Sequence, residues 1–199
     1  AGAAAAPPAG LPTPRRALLA PAALAGLSGA AATSARAAGE LRSLGNGSDI
    51  GLELPEGFAW TEKAILLPTH KYEKRATANE PYGKWQIGVT VDVVNGWSVA
   101  DLGSAEDNAQ RLLKIERAKD GNISSQVISF VRGECSGAVT DTIEYRSDTT
   151  RGFYHYIVRV AIMDGKLHIF ESKAPEEFWG TLEAPARASA ATLRLGAQA

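Results

Sequence analysis

Three histidines and a single cysteine are the side chains of this 199-residue sequence best suited to metal binding or nucleophilic chemistry. A zinc site needs three or four convergent ligands, and no two of these four residues lie close in sequence. His155 and His168 fall on two runs that predict paired strands, about 20 Å apart at about 3.3 Å per residue. We therefore interpret His70, His155 and His168 as packed sheet residues and assign no metal ligand.

Cys135, within the run Gly-Glu-Cys-Ser-Gly, is the candidate nucleophile. A thiol needs a neighbouring base to be activated, and the sequence places no histidine beside it. The Gly-x-Ser-x-Gly elbow, the phosphate-binding loop and the dinucleotide-binding glycine pattern do not occur. We expect a protein that is not an enzyme, and a small exported hydrolase using Cys135 or a histidine is the alternative.

The acidic residues are spread along the chain and do not form the Asp-x-Asp-x-Asp-Gly pattern of a calcium loop. Asp141, Glu144 and Asp148 could form a weak site for a divalent cation, although solvated surface charge is the ordinary role of such residues. We expect no tightly bound cofactor, and calcium is the one ion that we retain as a candidate ligand.

A basic cluster, Lys71, Lys74 and Arg75, lies in a charged segment from Thr69 to Tyr82 that we predict to be a loop. Such a cluster could dock an acidic protein partner, and a solvated loop is the alternative. Removing residues 1–37 takes away three arginines and no acid, so the net charge falls from −1 to −4. This acidic body does not favour nucleic acid as a partner.

Alternating apolar residues and β-branched runs predict the strands that would position these side chains. The first strand, Asp49 to Leu54, ends at Pro55 and the Glu56-Gly57 turn. Further strands are predicted at 64–67, 84–94, 126–131, 139–146, 153–163 and 166–172. The last two are joined by Asp164-Gly165, a two-residue hairpin turn, and the resulting register pairs Ile162 with Leu167 and Ala161 with His168.

Two helices are predicted. Ser104 and Asp107 form a capping box that begins a helix ending near Ala118. Its inner face is predicted to carry Ala105, Ala109, Leu112 and Leu113. Pro175 with two acids begins the second helix, which Pro185 would kink or restart. Helices on both faces of an antiparallel sheet make the predicted fold class α+β.

The first 37 residues have the features of an export signal rather than a membrane span. Arg15 and Arg16 precede a short, alanine-rich run broken by Pro21, whereas a span needs about 20 strongly apolar residues. The small-x-small ending at Ala35 and Ala37 fits cleavage after Ala37. We predict a cleaved presequence at 1–37, a linker at 38–48 and a folded domain at 49–195.

The paired arginines resemble a twin-arginine signal, and the acid-free segment before them resembles the end of an organelle transit peptide. Together they indicate the chloroplast thylakoid lumen, and a bacterial periplasm is the competing interpretation.

Four segments in order resemble the PsbP family. They are "IGLELPEGF" at 50–58, "SVADLGSAED" at 98–107, "GFYHYIVRV" at 152–160 and "DGKLHIFESKAPEEFW" at 164–179. The resemblance extends over 50–193, nearly the whole chain that follows the predicted presequence. It implies a non-catalytic α-β-α sandwich, extrinsic to the lumenal face of the thylakoid membrane.

The founding member of that family is an extrinsic subunit of the photosystem II oxygen-evolving complex, where it supports calcium and chloride retention. The resemblance therefore implies lumenal subunits of photosystem II as partners. The stretch between Ala38 and Ile50 is shorter than the leading arm of the founding member. A PsbP-like auxiliary or assembly factor of another thylakoid complex is accordingly the alternative.

Overall fold

The computed structural model of the chain describes residues 39–42, 50–65 and 70–196. The strands are β1 Gly39–Arg42, β2 Ile50–Leu54, β3 Trp60–Ile65, β4 Tyr72–Ala78, β5 Gln86–Val93, β6 Asn122–Cys135, β7 Ala138–Thr149, β8 Gly152–Met163, β9 Lys166–Pro175 and β10 Arg194–Leu195. The helices are α1 Ala105–Arg117 and α2 Trp179–Ala191, which follow 3-10 turns at Val99–Leu102 and Glu176–Phe178. The predicted signal residues Arg15, Arg16, Ala35 and Ala37 lie outside the described residues.

An antiparallel sheet of seven strands in the order β3-β4-β5-β9-β8-β7-β6 forms the centre of the domain. Neighbouring residues on β8 point to opposite faces of this sheet. Tyr156 packs with Leu113 of α1, whereas Ile157 packs in the same cluster as Leu182 of α2. Each helix therefore covers one face, which confirms the predicted α+β fold with an antiparallel sheet between helices.

A second, three-stranded sheet of order β1-β2-β10 completes the core on the α2 side. Ile50, Leu52 and Leu54 of β2 are buried in one cluster with Trp85, just before β5, and with Phe170 of β9. β1 lies within the stretch 38–48 that was predicted as a linker, and it pairs with the whole length of β2 except Ile50. That part of the linker prediction is wrong, and the rest, 38 and 43–48, lies outside the described residues.

The β8–β9 hairpin has the predicted register. Asp164 and Gly165 have φ values of 53° and 68°, as the two-residue turn requires. Ile162 pairs with Leu167, and Ala161 pairs with His168. Because side chains alternate along a strand, His155 and Arg159 of β8 lie on the same face as Ile157, the face that α2 covers.

The segment predicted as a loop from Thr69 to Tyr82 contains a strand, β4, and that prediction is wrong. β4 pairs with β3 on one side and with β5 on the other. Its small residues Ala76 and Ala78 are buried against the core. Lys74 and Arg75 also find partners on neighbouring strands, Glu62 and Gln86, which a local charge pattern cannot show.

Smaller differences concern element ends. β3 begins at Trp60 rather than at residue 64, and the predicted strand residues Leu66 and Leu67 lie outside the described residues. α2 runs through Pro185 without restarting, because Leu182 and Ala186 on either side of the proline are both buried in the core. No helix among the described residues has the length and apolar character needed to cross a membrane.

Helix α1 begins as predicted, with Ser104 and Asp107 in a reciprocal capping box. Hydrogen bonds from the side chain and the backbone of Ser104 lower the pKa of Asp107. Gly103, just before the cap, has a φ of 123°, a conformation that favours glycine. Ala109 and Leu113 are buried as predicted, and Asn108 and Glu116 are buried polar residues that the pattern did not predict.

Candidate functional site

His155 is the centre of a polar network on the α2 side of the sheet. Its side chain is fully buried on β8, and Nε2 lies 2.7 Å from Glu144 Oε1 on β7. Nδ1 lies 3.0 Å from Glu176 Oε2, at the turn that precedes α2. Because carboxylates only accept, both contacts are hydrogen bonds when both ring nitrogens carry a proton. The ring also stacks on Trp179, with centroids 3.6 Å apart.

Glu144 is the charged residue on which this network depends. Arg187 of α2 donates to both of its oxygens, at 2.8 and 3.0 Å, and the Ser129 hydroxyl donates to Oε2 at 3.1 Å. Burial alone would raise the pKa of Glu144, but hydrogen bonds from His155 and Arg187 outweigh burial and hold this pKa below its ordinary value. The same pairing raises the pKa of Arg187 despite partial burial. The network therefore ties β7, β8 and α2 together through an ionised carboxylate.

The structure separates the acids that were considered as a cation site. Asp141 and Glu144 lie on opposite faces of β7, since their partners Val160 and Ile157 face α1 and α2 respectively. Each carboxylate is already bound by an arginine. No group of three metal-binding side chains converges within the described part of the chain.

Asp141 instead anchors the segment 98–107 to the sheet. It is fully buried, and Arg132 of β6 binds both of its oxygens, at 2.8 and 3.0 Å. Asn108 of α1 donates to Asp141 Oδ2 at 2.8 Å and to the Val99 carbonyl at 3.2 Å. Arg132 also donates to the Gly103 carbonyl at 2.7 Å. The motif that carries the family resemblance is thus a structural connection between a loop, a helix and two strands.

The other two histidines lie in separate places. His168 is buried on β9 opposite Ala161. His70 lies at the start of β4, with Nδ1 2.6 Å from Asp92 Oδ1 and Nε2 3.8 Å from Glu73 Oε2. The structure does not bring any two of the three histidines together, as the spacing predicted.

Cys135 is a buried core residue and not an exposed nucleophile. Its side chain is in the main apolar cluster, and Sγ donates to the Leu193 carbonyl at 3.0 Å. Its other polar contact among the described residues is the Ser136 hydroxyl, 3.9 Å away. Since a histidine is not among these contacts, the geometry gives no support to a hydrolase that uses Cys135 as its nucleophile.

The three residues predicted as a docking cluster do not form one surface. Lys74 and Arg75 are consecutive on β4 and point to opposite faces of the sheet. Lys74 pairs with Glu62 at 2.6 Å, and Arg75 pairs with Glu73 at 2.9 Å. Lys71 is exposed and precedes the strand. The structure thus assigns Lys71 to one end of the sheet and ties Lys74 and Arg75 to neighbouring acids.

The end of the sheet near Lys71 carries exposed apolar side chains that the sequence analysis missed. Val93, at the end of β5, is 75% exposed and Trp97, in the following loop, is 88% exposed. Leu102, just before α1, is 40% exposed. Antiparallel pairing of Tyr72 with Val91 places Lys71 at this same end. We call these four residues, Lys71, Val93, Trp97 and Leu102, the docking end.

The sequence did contain a signal for the docking end. Trp97 follows the turn residues Asn95 and Gly96, outside any alternating run, so no strand or helix face could bury its ring. A large aromatic residue in such a position is more exposed than its type normally allows. Trp is also the residue most enriched at the energetic centres of protein interfaces.

Comparison with known families settles where the chain belongs. The family model described as PsbP matches residues 47–195. The chain belongs to the PsbP family. Among solved structures it is similar to cyanobacterial PsbP (CyanoP) from Synechocystis sp. PCC 6803, with a TM-score of 0.63 and 18% identity over 85% of this chain and 99% of that one. No curated protein matches the sequence.

Two other proteins share the fold of this PsbP-family chain. The Ran-binding protein Mog1p of Saccharomyces cerevisiae is 8% identical, with a TM-score of 0.50 over 79% of this chain and 94% of that one. LpqN of Mycobacterium tuberculosis, involved in cell envelope biogenesis, is 10% identical, with a TM-score of 0.50 over 79% and 90%. One fold thus occurs in proteins of different roles, and function must be argued from surfaces.

Proposed function

We propose that this PsbP-family protein is a non-enzymatic, extrinsic protein of the thylakoid lumen that binds photosystem II and supports its oxygen-evolving complex. Its contribution is stability, assembly or retention of calcium and chloride, exerted through protein contacts and not through a cofactor of its own. The observation that carries the proposal is the PsbP match over residues 47–195, which includes every element of the large sheet.

The docking end is the surface that we propose for this contact. It combines an exposed indole, further exposed apolar side chains and the amino group of Lys71, that is, an aromatic anchor with a peripheral charge. Lys74 and Arg75, paired with acids in the free chain, would contribute only at its margin.

A second candidate function is that of a PsbP-like auxiliary or assembly factor for another photosynthetic complex. The 18% identity to cyanobacterial PsbP favours keeping it, because so low an identity preserves the fold and leaves the surface free to differ.

Salt washing of thylakoids and a pull-down with the tagged chain test the proposal. Peripheral binding through protein contacts predicts that salt washing of thylakoids releases the chain in soluble form, and retention after carbonate stripping would contradict it. The tagged chain, used as bait on detergent-solubilised thylakoids, should recover lumenal subunits of photosystem II. Recovery of another complex in their place would support the second candidate function.

Substitution at the docking end tests the surface itself. Trp97→Ala should weaken binding to photosystem II at least about tenfold, because aromatic anchors commonly contribute about 2 kcal/mol or more to an interface. Phe153→Ala is the matched control, since Phe153 is 46% exposed at the opposite end of the sheet. Equal binding by the two variants would reject the docking end as the contact surface.

A further inference from the structure

A cavity of about 340 Å³ lies on the α2 side of the sheet, where α2 ends and leaves the outer strands uncovered. Thr142 and Arg159, adjacent on β7 and β8, line its floor together with Ile157. Ala190 and Ala191 at the end of α2 form the opposite wall, and Arg187 stands at its side. A volume of this size falls within the range of small-molecule sites, about 300–1,000 Å³.

Arg159 is the group in this cavity that lacks an anionic partner. One terminal nitrogen of its guanidinium donates to the Ala190 carbonyl. Its Nε is buried and has no hydrogen-bond partner, and no carboxylate among the described residues pairs with the side chain. Orphaned buried donors are rare and call for an explanation such as an absent ligand or water.

The end of α2 satisfies only part of this charge. A helix C-terminus carries about half a negative charge, so the bond to Ala190 makes Arg159 a cap for α2. A full positive charge against half a negative one leaves the guanidinium of Arg159 only partly compensated. An acceptor that reaches the guanidinium from the cavity would neutralise it.

Thr142 supplies a second donor. It lies directly opposite Arg159 in the β7–β8 register, where side chains on one face are about 5 Å apart. Thr142 lines the cavity, and its hydroxyl can donate a hydrogen bond. A planar acceptor with two oxygens could therefore contact the hydroxyl and the guanidinium at once.

The remaining wall residues select the kind of anion. Arg187 is already bound to Glu144 and Glu183, so it adds no free positive charge, and the Glu144 carboxylate nearby would repel a doubly charged phosphate. Ile157, Ala190 and Ala191 present apolar surface to the rest of the volume. The site thus fits a single negative charge attached to a short apolar group.

We propose that this cavity binds a small aliphatic monocarboxylate, with its oxygens on Arg159 and Thr142 and its alkyl chain against Ile157 and Ala191. The site is separate from the docking end, so the failure of either proposal leaves the other intact.

Titration of the isotopically labelled chain with sodium butyrate, followed by NMR at pH 7 and constant ionic strength, tests the proposal. Saturable shifts are expected for the Nε–H signal of Arg159 and for the amides of Thr142 and Ala191, with a Kd on the order of millimolar. The series from acetate through butyrate to hexanoate should gain about two- to fourfold in affinity per methylene until the cavity is filled. The uncharged analogue 1-butanol should not produce these shifts.

Substitutions in the cavity show which residues contact butyrate. Arg159→Gln should weaken butyrate binding at least about tenfold, since it removes a charged donor. Arg151→Gln, which changes an exposed arginine in the β7–β8 turn, is the control and should bind butyrate normally. If Arg159→Gln does not fold, Thr142→Val and Ala191→Phe are used in its place. Neither residue is fully buried, so both variants are expected to fold. Both should reduce affinity, the second by filling the cavity.

Three outcomes would overturn the proposal. They are the absence of saturable shifts with butyrate, equal binding by Arg159→Gln and the parent chain, and binding of inorganic phosphate in preference to butyrate. In the first case a water molecule at the Arg159 donor and the α2 cap would account for the whole arrangement.

Discussion

Glu144 shows how a single carboxylate can organise one face of the sheet. It accepts from His155, Arg187 and Ser129, which belong to three different elements. In Glu144→Gln an amide NH₂ would face two donors, so we expect a loss of about 2–4 kcal/mol in the free energy of unfolding at pH 7. Urea unfolding of the two chains measures the difference. Glu183→Gln is the control, because Glu183 binds the same Arg187 at the exposed surface and should change stability by less than about 1 kcal/mol.

The pKa of the Glu144 carboxylate predicts how the stability of the chain changes at acidic pH. The pKa of Glu144 is lower in the folded chain than its ordinary value of 4.5, so the stabilisation is complete above that value and is lost as the pH falls through the lower, folded-state pKa. The stability difference between the parent chain and Glu144→Gln should therefore shrink between pH 5 and pH 3. A difference that stays constant over this range would show that the effect of the substitution is steric and not due to the charge.

The sequence alone predicted the environment of some of these residues and not of others. It placed His155 correctly as a packed sheet residue, since strand alternation is a local property. Its partners Glu144 and Glu176 are 11 and 21 residues away, so the network became visible only when strands and helix met. The exposure of Trp97 was missed for the opposite reason, because it depends on the absence of a neighbouring element.

At the scale of elements, the β8–β9 hairpin depends on its two turn residues. A Cβ on Gly165 would meet nothing closer than the Val94 carbonyl at 3.8 Å, so Gly165→Ala should destabilise through its positive φ alone, by about 1 kcal/mol. Gly133→Ala in β6 is the control, because a Cβ there has open space and the backbone φ is not left-handed. Thermal unfolding of the two variants should separate them, and equal melting temperatures would contradict the role of the turn.

The contrast between this hairpin and β4 explains which elements a sequence can predict. The Asp164-Gly165 turn and the alternating residues beside it contain the register locally. In β4 the residues Glu73, Lys74 and Arg75 form a charged run that resembles a loop. Arg75 pairs with Glu73 inside this run, whereas Glu62 on β3 and Gln86 on β5 also bind Lys74 and Arg75, and the proximity of these two partners is a result of folding.

At the scale of the whole molecule, Cys135 offers a reporter of global opening. Its thiol is 8% exposed and donates to the carbonyl of Leu193, so it lies where the end of β6 meets the C-terminal segment. Reaction with a disulfide reagent should be at least about a hundredfold slower in the folded chain than in urea. Its denaturant midpoint should coincide with the fluorescence change of the fully buried Trp85. Rapid labelling without denaturant would show that this region opens by itself.

The predictions of the family and of the layered fold are confirmed at this scale, whereas photosystem II as the partner stays a prediction drawn from the resemblance. Antiparallel alternation and two predicted helices already imply a sheet covered on both faces. The side chains that choose a partner are the exposed ones, and folding places few physical constraints on them. For this reason the fold is shared with proteins of other roles, and the docking end needs its own experiment.

The two neighbours of strand β2 show how the ends of the chain could be reconnected. Arg42 of β1 and Arg194 of β10 both pair with Gly51, one on each side. Two strand spacings separate them, so the first and last strands of the domain run about 10 Å apart. Because β10 ends beside Ile50 and β1 begins beside Leu54, a glycine-rich linker that returns along the length of β2 could join the last strand to the first. New chain ends could then be opened in an exposed hairpin turn, giving a circular permutant that keeps every strand pairing of the parent.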